Sequence, residues 1–238
     1  MYRRQSASTK ALVLRSVDYR DADRIVTLLT EGMGKVSAIA RSARRSQRRF
    51  AGSLEPFAII DAVIDPGRGE LATLIEARVV KGYPNILLDL GRMSTAAAAL
   101  DLVTRGTAER QPDAEIFRTT AALFRILDEG QQPAEEALVS FRIRATALMG
   151  FAPDVDACGR CGRPAPPGQA GLFDPAAGHL VCRACGGAPI YLSASSRRRL
   201  QLAAGPSWAE AAGKWPDKEL GQVRRAVDAF LRSHQLSP

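Results

Sequence analysis

The chain's four cysteines fall in two pairs, Cys158-Gly159-Arg160-Cys161 and Cys182-Arg183-Ala184-Cys185. Two residues between paired cysteines let one turn of backbone present both sulfurs to a single ion, and the second pair, about twenty residues on, completes a tetrahedron. The chemistry is that of one structural Zn²⁺ held by Cys158, Cys161, Cys182 and Cys185. Four protein ligands leave no position for water or substrate, so the pattern points to folding and not to catalysis. Iron also takes four sulfurs. Two disulfides or a redox dithiol are the other uses of such pairs, but no strand-helix context surrounds either one. Gly162 and Gly186 follow each second cysteine, where a residue free of Cβ lets the backbone curl around the metal. A tetrathiolate zinc carries a net charge of about −2, which Arg160, Arg163 and Arg183 can offset.

A second chemistry-bearing stretch is Arg41-Ser42-Ala43-Arg44-Arg45-Ser46-Gln47-Arg48-Arg49-Phe50, five arginines in ten residues without an acid. A solvated charged loop is the plain reading of such a run. Arginine, however, has a planar fork of donors that matches phosphate, and Arg15, Arg20, Arg24 and Lys35 lie close by in sequence. The expected contact set for a nucleic-acid backbone is therefore Lys35, Arg41, Arg44, Arg45, Arg48 and Arg49, with Arg15, Arg20 and Arg24 beside them. Tyr19, Phe50 and Phe57 are the aromatics between Arg15 and Ile60. Stacking platforms for bases want several, so the expected mode is dominated by phosphate and indifferent to sequence.

The elements that position these residues can be read from periodicity. Ala11–Val17, Ile25–Thr30, Lys35–Arg41, Phe57–Ile64 and Leu71–Val80 have the length and pattern of strands, separated by Asp21-Ala22-Asp23, Gly32-Met33-Gly34 and Asp65-Pro66-Gly67-Arg68-Gly69. Five strands with a longer insertion after the third predict an OB-type barrel. After Lys81-Gly82-Tyr83-Pro84 the texture turns Leu- and Ala-rich. Helices are expected over Ala96–Val103 and Ala114–Glu129, and from Pro133, at the first helical position, to a Gly150 cap. Leu172–Asp174 and His179–Val181 flank Pro175–Gly178 as two strands of a zinc ribbon. Ser193 or Ser195 caps a helix ending near Gly205-Pro206, and a last helix runs from Asp217 to about Ser233. The expected plan is α+β and multidomain: an OB barrel over 1–82, a helical domain from 83–153 and 190–238, and a zinc-ribbon insertion over 154–189.

Composition bounds the function. The formal net charge is +8, which favours a nucleic-acid partner. The excess sits at the two ends, +6 over residues 1–83 and +4 over 192–238, while 84–153 is net −2. No apolar run reaches the ~18 residues of a membrane span, and Arg15 interrupts the only apolar start. Reduced cysteines without an export signal predict a cytoplasmic, nucleoid-associated protein. His179 and His234 have no neighbouring carboxylates arranged for acid-base work.

Three stretches together resemble the bacterial RecO family of recombination mediators: Ala11–Leu14 through Tyr19–Asp23 to Leu29–Gly34; Ala40–Arg45 leading to Leu54-Glu55-Pro56-Phe57; and Leu148–Pro153 leading into Cys158–Gly162. The resemblance implies an N-terminal OB-fold, a central helical bundle and an inserted zinc finger. It implies binding of single- and double-stranded DNA, annealing of complementary strands, and help to RecA in displacing single-strand-binding protein, in complex with RecR. Family DNA contacts from the third strand and the following loop fall on Lys35, Arg41, Arg44, Arg45, Arg48 and Arg49. Two other classes stand beside this one. A helical adaptor that grips proteins in a replication, repair or transcription complex, with only non-specific DNA binding, fits the acidic, leucine-rich middle. An enzyme is disfavoured: a zinc deaminase needs an open coordination position and a His-x-Glu ahead of its cysteines, and this chain has no His-x-Glu.

Overall fold

A computed structural model describes residues 6–67, 69–130 and 132–237. Strands β1 (Ala7–Tyr19), β2 (Asp23–Thr30), β3 (Gly34–Ala40), β4 (Ala58–Asp65) and β5 (Ala72–Gly82) close a barrel in the order β1-β2-β3-β5-β4. Alternation of side chains across each strand builds its core. In β3, Val36, Ala38 and Ala40 are buried while Lys35, Ser37 and Ile39 are half-buried. Val13, Val26, Leu28, Ile60, Ile64 and Leu74 fill the same interior. The β3–β5 join is parallel and short, pairing Ala38 with Ala72 and Ile39 with Thr73. All five strands expected from periodicity are present, and the closure is that of an OB-type barrel.

Between β3 and β4 lies a short helix, α1 (Gln47–Phe50). Sequence reading placed a charged loop there, but Phe50 and Leu54 are buried against the barrel core and anchor the segment. The β4–β5 turn expected over residues 65–69 includes Arg68, which lies outside the described residues, as do Met1–Gln5 of the basic start. Beyond the barrel come α2 (Pro84–Leu87), α3 (Leu90–Gly106) and α4 (Ala114–Glu129). Helix α3 is longer at both ends than the expected Ala96–Val103. Helix α4 docks on the barrel through Phe124, whose ring meets Phe57 and Tyr83 edge-on at 5.7 and 5.6 Å.

The chain divides into two compact units. One takes residues up to Ala96 with Thr107–Asp128, the other Ala97–Gly106 with Glu129 onward. The second unit holds α5 (Ala134–Leu148), then β6 (Asp154–Cys158), β7 (Gly171–Asp174), β8 (His179–Leu180), a 3-10 turn (Arg183–Cys185) and β9 (Ile190–Leu192). Helices α6 (Ala194–Ala204), α7 (Trp208–Ala211) and α8 (Asp217–Ser233) complete it. Pro133 does not open α5 as its first residue. Its extended ψ of 135° makes it the N-cap, and its carbonyl accepts from Ala137 N at 3.1 Å. The ribbon is also larger than a hairpin, since β6 and β9 extend the pair to a four-stranded sheet ordered β6-β8-β7-β9. Phe141 against Trp208 and Phe173 against Phe230, at 6.0 and 6.4 Å between ring centres, tie helices and ribbon into one core. Among the described residues, no helix is long and apolar enough to cross a membrane.

Candidate metal centre and nucleic-acid interface

The two knuckles are built as their sequence demands. Cys158 ends β6 and Cys161 follows one turn later, where Gly162 has φ +70°. Cys182 precedes the 3-10 turn that carries Cys185, and Gly186 follows at φ +99°. Both glycines sit in the left-handed region that side-chain-bearing residues avoid. The Sγ atoms of Cys158, Cys161, Cys182 and Cys185 all lie within 4.8 Å of one another. Cys161 Sγ and Cys182 Sγ are 3.8 Å apart, and a tetrahedron with ~2.3 Å zinc–sulfur bonds has an edge of about 3.8 Å. The donor set therefore fits one four-coordinate soft metal ion.

Backbone and neighbouring thiols set the charge state of this cluster. The Cys158 thiol is lowered to about 6, first because Cys182 N–H donates to its sulfur at 3.3 Å. Cys185 is pushed up to about 12, chiefly by hydrogen bonding with Cys161 and Cys182. Arg160 Nη1 donates to Cys185 O at 2.8 Å, so one of the three flanking arginines braces the second knuckle. Arg197 clamps the ribbon from α6. It is 3% exposed, and its guanidinium donates to Val155 O, Ala165 O, Pro166 O and Gln169 O at 2.6–3.2 Å.

In the barrel unit, the arginine run packs against the β1–β2 turn. Arg24 pairs with Ala40 across the β2–β3 ladder, which puts the start of β2 beside the end of β3. Ser42 N donates to Asp23 Oδ1 at 2.7 Å and Arg44 N to Ala22 O at 3.0 Å. The structure therefore brings Arg20, Arg24, Arg41, Arg44, Arg45, Arg48 and Arg49 to one end of the barrel. Lys35 lies at the opposite end of β3, ~20 Å away along the strand. Arg15 sits partway up β1, opposite Thr27.

The clustered arginines are not equivalent. Arg24 is held between two carboxylates, Nη1 to Glu55 at 2.7 Å and Nε to Asp18 at 3.0 Å. The hydrogen bond to Glu55 is the main reason its pKa is raised. Asp18 also faces Arg44 Nε at 3.7 Å. Arg49 turns inward, donating to Arg41 O at 2.8 Å and Ser46 Oγ at 3.2 Å, with its guanidinium 5.0 Å from the Phe50 ring centre. Arg15, Arg41, Arg45 and Arg48 are exposed and have no side-chain partner among the described residues. The free positive charge is therefore concentrated at Arg41, Arg45 and Arg48.

Strand pairing adds a feature that sequence reading missed. Arg15, Val17 and Tyr19 alternate onto one outer face of β1, opposite Thr27, Ile25 and Asp23 of β2, with Ser37 and Ile39 of β3 alongside. Val17 and Tyr19 remain 38% and 37% exposed. The Arg20 guanidinium lies 5.1 Å from the Tyr19 ring centre. An apolar strip with one aromatic thus runs along the outer face of β1 towards the arginine-rich end of the barrel. The alternation of β1 and the tyrosine at its end were the available signals.

Comparison with known proteins covers both units. The family model described as recombination protein O N terminal matches residues 4–83, and that described as recombination protein O C terminal matches residues 87–238. The chain is 38% identical to the DNA repair protein RecO of Anaeromyxobacter dehalogenans strain 2CP-1, over 96% of this chain and 91% of that protein. It is 39% identical to that of Anaeromyxobacter sp. strain K, over 94% and 89% of the two chains. Against the RecO protein of Myxococcus xanthus it is 39% identical, over 74% and 71%.

Proposed function

We propose, from the premise that this chain belongs to the RecO family, that it is a DNA-binding recombination mediator which anneals complementary strands. As a family member it serves DNA repair and recombination as a mediator and not as an enzyme. In the proposed mechanism it binds both single- and double-stranded DNA and assists RecA loading onto DNA coated by single-strand-binding protein, with RecR as partner. The barrel (1–82) carries the DNA contacts, the helical domain (83–153 and 190–238) the protein contacts, and the ribbon (154–189) is held by the metal.

The observation that carries the reading is the set of unpaired guanidiniums, Arg41, Arg45 and Arg48, in the run that packs on the β1–β2 turn through Ser42 and Arg44, at the barrel end that Tyr19 also reaches. Arginines that already have carboxylate partners offset little phosphate charge, whereas free ones release counterions when DNA binds. Annealing follows from the same electrostatics. A positive surface reduces repulsion between two phosphate backbones, and contacts to phosphate leave base edges free to pair. Zn²⁺ is the proposed ion at the four cysteines, where it fixes the fold of the ribbon.

The test is a salt titration of the full chain on single- and double-stranded oligonucleotides, together with the annealing rate of two complementary strands. Salt-sensitive binding to both, with faster annealing in low salt, is expected. Salt-independent binding, or binding without faster annealing, refutes the mechanism. A protein-gripping role is favoured by one separate observation: Leu87, Leu88 and Leu90, at the junction of α2 and α3, are 56%, 83% and 82% exposed. Such a patch suits a protein partner and coexists with DNA binding.

A further inference from the structure

The ribbon contains a cavity of about 300 Å³, near the lower limit for small-ligand sites. Leu172 and Leu180 give it an apolar floor, Gln169 one polar wall, and Arg163, Arg183 and Tyr191 its rim. Cys158 and Cys182 border one side, but Cys161 and Cys185 do not line it. The cavity therefore lies beside the metal centre and is not the space between its four ligands. Tyr191 is 55% exposed. Arg163 and Arg183 are exposed, with no side-chain partner among the described residues, and no carboxylate lines the cavity. A tetrathiolate Zn²⁺ centre of about −2 does not exhaust the three cations around it, Arg160, Arg163 and Arg183.

We infer that this cavity is a second nucleic-acid site, taking one nucleotide of a single strand with its base against Tyr191 and its phosphate between Arg163 and Arg183. Two cations without a competing acid select an anion. An exposed ring next to an apolar floor selects a planar, apolar group on that anion, and a base meets both demands in a sequence-tolerant way. An acidic peptide uses the arginines but leaves Tyr191 without a role. The inference rests on the annealing reading: the process handles two strands, and this site lies in a different compact unit from the barrel arginines.

The experiment uses the full zinc-loaded chain and a thymidine oligonucleotide carrying photoreactive 5-iododeoxyuridine. Crosslinking at Tyr191 is expected, retained in Tyr191→Phe and lost in Tyr191→Ala. The Arg163→Ala/Arg183→Ala variant, with zinc content and melting temperature unchanged, is expected to lower the slope of log K against log salt by ~0.7, one phosphate's worth for single strands, and to slow annealing. If that variant changes neither slope nor crosslink yield while barrel variants do, the ribbon site is overturned and the barrel reading stands. If neither set changes the slope, the barrel reading falls as well. Displacement of the oligonucleotide from Tyr191 by an Asp/Glu-rich peptide of equal charge and equal affinity also overturns it, because the site then reads charge and not a base.

Discussion

Replacing Arg41, Arg45 and Arg48 together by alanine removes the exposed guanidiniums of the arginine run that have no side-chain partner among the described residues. The triple variant leaves the buried anchors Phe50 and Leu54 in place. For single strands, each phosphate neutralised contributes ~0.7 to the slope of log K against log salt, so losing three lowers it by ~2.1. Referred to about 1 M salt, where the two lines meet, that is ~100-fold in affinity at about 0.1 M, or ~3 kcal/mol. Fluorescence anisotropy of a labelled oligonucleotide from about 50 to about 400 mM salt spans enough of the line to measure it. A control variant at Arg24, whose guanidinium is already held between two carboxylates, is expected to change the slope much less. Equal slopes for wild type and triple variant, or a larger effect from the control, would refute the assignment of the free arginines.

Four further outcomes follow from the same geometry. Asp18→Asn removes the acid shared by Arg24 and Arg44 and is expected to steepen the single-strand salt slope by ~0.7, one cation's worth, in the same anisotropy titration. Arg197→Met strands four carbonyl acceptors in a buried place and is expected to cost about 3 kcal/mol by chemical denaturation of the second unit. Cys161→Ser is expected to abolish stoichiometric zinc, lower the melting temperature and expose the ribbon to protease, with barrel DNA affinity kept. Metal uptake near neutral pH is expected to release protons, because Cys185 is pushed up to about 12 while Cys158 is already lowered to about 6. Zinc affinity, and the stability that depends on it, therefore falls as pH falls, which a zinc-dependent melting series across pH measures.

The parts of this fold that were legible in the sequence are those whose signal is local. Five barrel strands showed period-two alternation between turn residues, and α4 and α8 have the limits their apolar spacing set, Ala114–Glu129 and Asp217–Ser233. The metal ligands were legible for the same reason, since spacing alone brings two cysteines of each pair to one turn. Features set by distant partners were not. Strand β6 is too short to show alternation and exists because it pairs with β8. Arg24 looked like any other arginine of the cluster, because its partner Glu55 lies 31 residues away. Arg197 was hidden in an Arg-Arg-Arg run that reads as solvent-facing. Its helical phase was the missed clue, since it lies three residues before the buried Leu200. Pro133 shows the limit of boundary reading: its fixed φ serves N-cap and first helical turn alike, and only ψ distinguishes them.

The central claim is that DNA function resides at the arginine end of the barrel and that the metal supports the fold. Its most direct measurement is arginine-specific chemical labelling of the full chain, read by peptide mass spectrometry with and without a short single-stranded oligonucleotide. Protection is expected first, at the lowest DNA concentrations, at Arg41, Arg45 and Arg48. Full labelling of those three under saturating DNA, with protection confined to arginines after residue 129, would contradict the account.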